Sequence, residues 1–553
     1  MTTKIEIKQF EFNKRSVSKI DDESLFSNFN WANNWPTIYI LNNKREAYVG
    51  ESYKIRSRIE QHLKNKDRQR LDKINIIVDK EANKSYTLDI ESFLIRYMSA
   101  DRTFNLQNGN HGLVDYNYYN KENYHDKFRK EIWPKLRELK LVKKSLKEIE
   151  NSILFKFSPY TSLSSEQYDI IDSILNLFKG NSFPEKGNVI VNGGPGTGKT
   201  LLGINLIKLL NLTEENFEDN DVRNHIMQIQ KFVKKIGLVI PQQSLRKTLK
   251  NVFQGIDGLD QNMILSPNEV FNDNYDLLIV DEAHRLRQRV NITNYWQYDS
   301  NNRKHGFSRE ATELDWILSQ SKFQIFFYDR AQTIKPTDID GDYFKKKTKN
   351  NKIDEFVLRS QFRVQAGNDY LEYIQNILNC DQTEKREFSN YDLRFFDSFS
   401  ELYSQIKIKE NKNGLSRLVA GYGWKWISKK KKNEYDIEIE NIKLQWNTSL
   451  IDWINKPESV NEIGCIHTIQ GYDLNYAGVI FGPEIDYDPE TNEIIINEKK
   501  YHDRNGKASI KNKSELKKYI LNIYSVLLTR GIKGTYIYVV NKNLKEYLRK
   551  YFN

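Results

Sequence analysis

The chain has 553 residues, of which 39% are hydrophobic and 29% charged, with a formal net charge of +11. This balance predicts a globular chain of three or four domains and excludes a disordered or fibrous one. No apolar run approaches the ~18 residues of a membrane span, the start Met-Thr-Thr-Lys-Ile-Glu-Ile-Lys lacks an apolar signal core, and the two cysteines, Cys380 and Cys465, leave no disulfide framework and no cysteine-based zinc site. A cytoplasmic location is expected. The positive charge suits a phosphate-bearing partner. The lysine runs Lys345-Lys346-Lys347 and Lys429-Lys430-Lys431-Lys432, taken alone, read as solvated loops.

Residues 1–34 carry no interpretable motif and are expected to form an N-terminal extension. Thr37-Ile38-Tyr39 begins a strand, Asn42-Asn43 suits a tight turn, and Tyr48-Val49-Gly50 ends the next strand. A helix over 53–64 carries Arg56, Arg58 and His62, and a strand over 74–78, a helix with Glu91, Asn105 and Asn108 follow. These residue types suit phosphodiester hydrolysis. Glu91 can hold a hard Mg²⁺ whose other ligands are water and phosphate oxygen, and such a metal stabilises the leaving oxygen. Tyr39 or Tyr48 can take or relay a proton from the attacking water if nearby cations lower a tyrosine pKa from its ordinary value of about 10. Arg58, with Arg56 as the alternative, can neutralise the phosphate. His62 is four residues beyond Arg58 and shares its helix face.

This ordered set resembles a GIY-YIG nuclease domain over about 35–115, with Thr37 at the first glycine of the pattern, Val49 at its isoleucine, and a short gap between the tyrosines. The resemblance implies a small α/β nuclease domain, expected at 35–120. It aligns Arg58 with the family arginine and Asn108, or else Asn105, with the family's structural or phosphate-facing asparagine. Residues 121–155 read as a charged helical linker that Trp133-Pro134 breaks or restarts, bracing the nuclease against the C-terminal remainder of the chain.

From about 156 onward, strands alternate with helices. Strands are expected at 188–192, 236–240, 277–281, 324–328, 417–420, 479–481 and 535–540, which implies mostly parallel sheets with helices on both faces. The length calls for two such domains in tandem, 156–350 and 351–553. Gly193-Gly194-Pro195-Gly196-Thr197-Gly198-Lys199-Thr200 satisfies G-x-x-x-x-G-K-[ST] between a strand and a helix. Its backbone N–H groups can cradle phosphates, Lys199 adds a point charge, and Thr200 offers a hydroxyl to Mg²⁺. Val280-Asp281-Glu282-Ala283-His284 ends a later strand, where Asp281 can hold the metal and Glu282 can orient the attacking water.

Paired in this way, the motifs resemble a superfamily I helicase-type motor, and more narrowly the bacterial helicase-like family allied to the C-terminal domain of Schlafen proteins, over about 156–545. The resemblance implies two tandem RecA-like domains with parallel sheets. It also implies that Gln167 reads adenine, that Pro241–Leu245 and Ser266–Val270 touch single-stranded nucleic acid, that Gln332 senses γ-phosphate, and that Arg363 and Arg530 reach it across a cleft. Ala420–Trp426 looks peculiar to the subfamily, and Cys465–Asp473 carries Gln470 at the cleft, with Asp473 where many members have Glu. ATP and Mg²⁺ are the implied cofactors, and nucleic acid, DNA more than RNA, the implied partner. An ATP-driven nuclease in restriction, repair or phage defence is the first reading. An ATP-gated nucleic-acid sensor, on RNA as an option, is the alternative.

Overall fold

A computed structural model describes residues 5–15, 34–108, 118–178, 185–214, 217, 220–254, 256, 258–292, 294–329, 332, 336–382, 384–449, 453–469, 472–507, 510 and 512–552. Packing divides the chain into two units. The first comprises 1–181, 201–232 and 249–261, and the second 182–200, 233–248 and 262–553. The helices that follow the phosphate-binding loop therefore pack with the N-terminal region, across the domain limits read from the sequence. Within the first unit, for example, the Lys208 ammonium lies 3.4 Å over the Tyr160 ring.

The first unit holds a five-stranded sheet. Its strands are β1 (Glu6–Glu11), β2 (Thr37–Asn42), β3 (Glu46–Ser52), β4 (Lys73–Val78) and β5 (Asn105–Leu106), in the order β1-β4-β2-β3-β5. All pairs are antiparallel except β3–β5. The segment expected to be an extension thus supplies β1, whose full length pairs with β4. One face of the sheet (Tyr39, Leu41, Tyr48, Ile74, Ile76) packs with Ile55 and Ile59 of the helix Ile55–His62. The other face (Ile38, Ile40, Val49, Ile77) packs with the helix Lys84–Asp101 and the helical segment 121–156. Trp133-Pro134 starts a helix within that segment, the second of the two outcomes expected of it. The helix Lys121–Lys127 passes through a π-turn, Phe128–Ile132, into the helix Trp133–Glu138. The wider turn makes room for the proline ring and the N–H it lacks.

The second unit holds two larger sheets. The first runs β11-β6-β10-β9-β7-β8, all parallel, from β6 (Gly187–Gly193), β7 (Ile236–Val239), β8 (Ile264–Leu265), β9 (Tyr275–Val280), β10 (Ser321–Tyr328) and β11 (Lys352–Leu358). The second runs β12-β20-β17-β13-β16-β15-β14. Its strands are β12 (Asp392–Phe395), β13 (Ser416–Ala420), β14 (Ile437–Ile439), β15 (Ile442–Trp446), β16 (Glu462–Cys465), β17 (Leu474–Phe481) and β20 (Gly531–Val539), parallel except for the β14–β15 pair. A small hairpin, β18 (Ile485–Asp488) with β19 (Glu493–Ile496), stands apart from them. The central strands read as continuous apolar runs because both of their faces are buried: every residue of β17 is buried. Two tandem parallel sheets of this kind are the RecA-like α/β architecture expected of the motor. Among the described residues, no helix is long and apolar enough to cross a membrane.

Candidate functional site

The phosphate-binding loop joins β6 to the helix Lys199–Leu210. Gly196 and Gly198 have φ of +79° and +80°, where a side chain would be strained. A Cβ on Gly196 would also meet Arg363 Cβ at 2.6 Å. Lys199 Nζ donates to the carbonyls of Gly193 (2.6 Å) and Gly194 (2.9 Å) and lies 3.9 Å from Asp329. Thr197 Oγ1 closes the loop onto Gly194 O at 3.1 Å.

Asp281 is fully buried at the end of β9 and accepts the Thr200 hydroxyl at 2.6 Å. The next residue, Glu282, has φ +50° and ψ +45°, a left-handed conformation uncommon for a non-glycine residue and found where surrounding structure imposes it. That turn places Glu282 Oε2 3.0 Å from His284 Nε2 and 3.2 Å from Arg285 Nε. Burial, then the Glu282 charge, pushes the Asp281 carboxyl up. Burial alone would raise Glu282 too, but His284, Arg285 and Lys199 together hold it well below the usual carboxylate range. Glu282 is therefore the more readily ionised of the two. Asp281 and Thr200 form a hard oxygen pair that fits Mg²⁺. Gln332 donates to Asp329 at 2.6 Å, and its carbonyl lies 3.5 Å from Arg285 Nη2. A polar chain therefore runs from Lys199 through Asp329, Gln332 and Arg285 to Glu282. His284, Arg285 and Asp329 stand inside or beside the motifs, yet no spacing signals this bonding.

Two arginines complete the site, Arg363 from the segment that follows β11 of the first sheet and Arg530 from the residue before β20 of the second. Phe362 N donates to Gly196 O at 2.9 Å, which seats the Arg359–Arg363 segment on the phosphate-binding loop. Arg363 pairs with Asp473, the residue that stands where many members have Glu. Arg530 is 2% exposed and donates to Tyr472 O at 3.2 Å. Burial, then the Arg363 charge, pushes it down to about 9, although Asp473 and Glu282 act the other way. The Arg363 and Arg530 charges oppose one another, and an anion bound between them would relieve that opposition. Gln470 lies outside the described residues. In the first unit, the Gln167 side chain accepts from Ser164 N at 3.0 Å as part of a capping box.

The N-terminal constellation is also assembled. β2 and β3 pair Tyr39 opposite Gly50 and Leu41 opposite Tyr48, so both tyrosines share one face. Gly50 lacks the Cβ that would strike the Tyr39 ring and hydroxyl. Tyr39 Oη and His62 Nε2 are 2.8 Å apart, and the Tyr48 and His62 ring centroids are 5.0 Å apart. The charges of Arg58 and Glu91 both reach Tyr39. The condition that cations lower a tyrosine is not met at Tyr39: burial, then Tyr48, push it well above its ordinary value, and Arg58 is outweighed. Burial, then Arg58 and Arg68, push His62 down to about 3, so the ring is neutral.

Four further residues fill out this unit. Asn108 is a clamp, with its amide bonding Val49 N (3.0 Å) and Val49 O (2.8 Å). Arg56 pairs with Glu60 on the exposed helix face, and Asn105 sits on the edge strand β5. Arg68, which no motif spacing flagged, lies 3.9 Å over the Tyr48 ring. Among the described residues, no three His, Cys, Asp or Glu side chains group as metal ligands. A metal at Glu91 would rest on one protein carboxylate completed by water and phosphate.

Residues 186–541 match the Schlafen group 3 DNA/RNA helicase domain. The uncharacterized protein YPL245W of Saccharomyces cerevisiae is 26% identical over 439 residues, which is 70% of this chain and 90% of the yeast protein. The similarity is therefore not confined to bacteria. Among solved structures, a Bacteroides Pif1 helicase in complex with ADP-AlF3 and ssDNA aligns over 68% of this chain and 93% of its own, at 12% identity and a TM-score of 0.27. A Candida albicans Pif1 helicase aligns over 71% and 97%, at 10% identity and a TM-score of 0.26.

Proposed function

Because the chain belongs to the Schlafen group 3 DNA/RNA helicase-domain family, we propose that it is an ATP-dependent nucleic-acid motor whose hydrolysis cleft is built around the phosphate-binding loop. The observation that carries this reading is that Arg363 lies against Gly196 of the phosphate-binding loop while the charges of Arg363 and Glu282 both reach Arg530. The loop amides and Lys199 bind the phosphates. Thr200 and Asp281 hold Mg²⁺, which supplies charge neutralisation between phosphates. Glu282, kept ionised by His284 and Arg285, orients the attacking water. Arg363 and Arg530 stabilise charge on the transferred phosphoryl group and draw the cleft shut around it. Gln332 links Asp329, beside Lys199, to Arg285, beside Glu282. The reading is tested by ATP turnover with and without single strands and by displacement of a labelled strand.

We propose further that residues 35–120 form a Mg²⁺-dependent GIY-YIG-like endonuclease acting on DNA, licensed by the motor in a restriction or phage-defence setting. The juxtaposition of Tyr39, Tyr48, His62, Arg58 and Glu91 supports this. The neutral His62 is the proton acceptor this geometry favours, with Tyr39 as the relay. One observation favours the gated-switch alternative: Tyr39 is bonded to His62 and its hydroxyl is raised, so the site rests in a form that holds its proton. ATP turnover stimulated by nucleic acid, without strand displacement or movement, would select that alternative.

A further inference from the structure

The lysine run 429–432 reads from sequence as a solvated loop. It belongs to the connection between β13 and β14, residues 421–436, and that connection is tied at both ends. At its far end the buried Asp436 carboxylate accepts from Ile427 N (2.6 Å), Ser428 N (2.7 Å), Ser428 Oγ (2.5 Å) and Trp446 N (2.8 Å). Gln445 Nε2 donates to the carbonyls of Lys432 (2.6 Å) and Glu434 (2.9 Å). At its near end Gly421 and Gly423 lie against the fully buried Glu484 carboxylate, where any Cβ would collide with it. Tyr524 Oη donates to that carboxylate at 2.6 Å. Such a network fixes a backbone that would otherwise lose conformational freedom on binding.

The loop presents Lys425, Lys429, Lys430, Lys431 and Lys432, all exposed. Among the described residues, none of the five forms an ion pair. Aromatic residues are interleaved: Lys429 Nζ is 5.3 Å from the Trp426 ring centroid, and Tyr435 is 55% exposed. The root of the loop touches the end of β16. Tyr422 Oη donates to Cys465 Sγ at 3.3 Å, at the start of the segment that carries Asp473, the partner of Arg363. Five like charges on a rigid loop repel one another until a polyanion neutralises them, and basic residues beside aromatics suit a strand with phosphates and bases.

We propose that residues 424–435 are a phosphate-backbone clamp for single-stranded nucleic acid, mounted on the second motor domain and joined through Tyr422 to the nucleotide cleft. The proposal rests on the motor reading. The test uses the full chain and titrates a fluorescent oligothymidylate at several salt concentrations. The variant replaces the five lysines with glutamine, and a control replaces Lys345 and Lys346 with glutamine. The slope of log K against log salt should fall by about 0.7 for each loop lysine removed, and affinity at moderate salt by roughly tenfold or more. The control should keep slope and affinity, and all three proteins should share one thermal midpoint. A five-lysine variant with the wild-type slope would overturn the clamp while leaving the motor reading intact. So would an unchanged slope with weakened binding of polyglutamate, which would assign the loop to an acidic protein partner. Wild-type protein that binds no strand at any salt would instead remove the motor reading and the clamp with it.

Discussion

Thr200 donates its hydroxyl to the Asp281 carboxylate across 2.6 Å, joining the end of the phosphate-binding loop to the end of β9. Both oxygens are hard donors. Asp281→Asn keeps the shape and can keep a bond to Thr200, but it removes the anion a divalent cation needs. ATP turnover should fall roughly 100-fold or more, while nucleotide binding without Mg²⁺ persists. Steady-state ATPase assays and fluorescent-nucleotide titrations in EDTA check this. Wild-type turnover in the variant would remove Asp281 from the site.

Acidification should act on the same residue. Its carboxyl is pushed up by burial and by Glu282, so it takes up a proton at a higher pH than an ordinary aspartate and loses its hold on the metal there. The acid limb of a pH–kcat/KM profile should therefore lie above the ordinary Asp range near 3.9 and shift downward as Mg²⁺ concentration rises. A limb insensitive to Mg²⁺ contradicts the assignment.

Arg363 and Arg530 differ in accessibility. Arg363→Ala, at a partly exposed position, should lower kcat by roughly 10³-fold with a smaller change in nucleotide affinity. Arg530→Lys tests the buried partner, since an ammonium cannot reproduce the planar fork. A loss confined to KM in both variants would argue for ground-state binding alone.

The N-terminal unit should be acid-sensitive through His62. Its folded pKa, about 3, lies below the ordinary 6.5, so the native state prefers the neutral ring. The associated stability is full above pH 6.5 and is lost as the pH falls from there toward 3. His62→Gln should move the acid-unfolding midpoint to lower pH in circular dichroism. An unmoved midpoint would show that His62 is not buried as a neutral ring.

Cutting and turnover should separate. Glu91→Ala should abolish cleavage of labelled DNA in Mg²⁺ and leave ATP hydrolysis intact. Asn108→Ala should act mainly on stability, costing about 1–3 kcal/mol as the Val49 backbone loses two partners. Chemical denaturation measures the second effect, and retained cleavage by clean Glu91→Ala protein would refute the first.

Much of the second unit was legible because its chemistry is local. Gly193–Thr200, Asp281-Glu282 and the buried strands β6, β9, β10 and β17 announce themselves through short motifs or apolar runs. What stayed hidden depends on distant partners. β1 pairs with β4 across more than sixty residues of sequence, and nothing in Glu6–Glu11 specifies that register. Arg68 reaches Tyr48 from a 3₁₀ turn outside the expected helix. Nothing in the sequence around Asp473 signals its pairing with Arg363, more than a hundred residues away. The π-turn that leads into the helix at Trp133-Pro134 leaves no mark in composition.

The most direct test of the central account is ATP hydrolysis by wild-type protein and Arg363→Ala, each with and without single-stranded DNA. A cleft closed by Arg363 predicts that the strand accelerates wild-type turnover and that Arg363→Ala loses both that stimulation and most basal turnover while still binding nucleotide. Wild-type hydrolysis indifferent to the strand, or undiminished in Arg363→Ala, would contradict it.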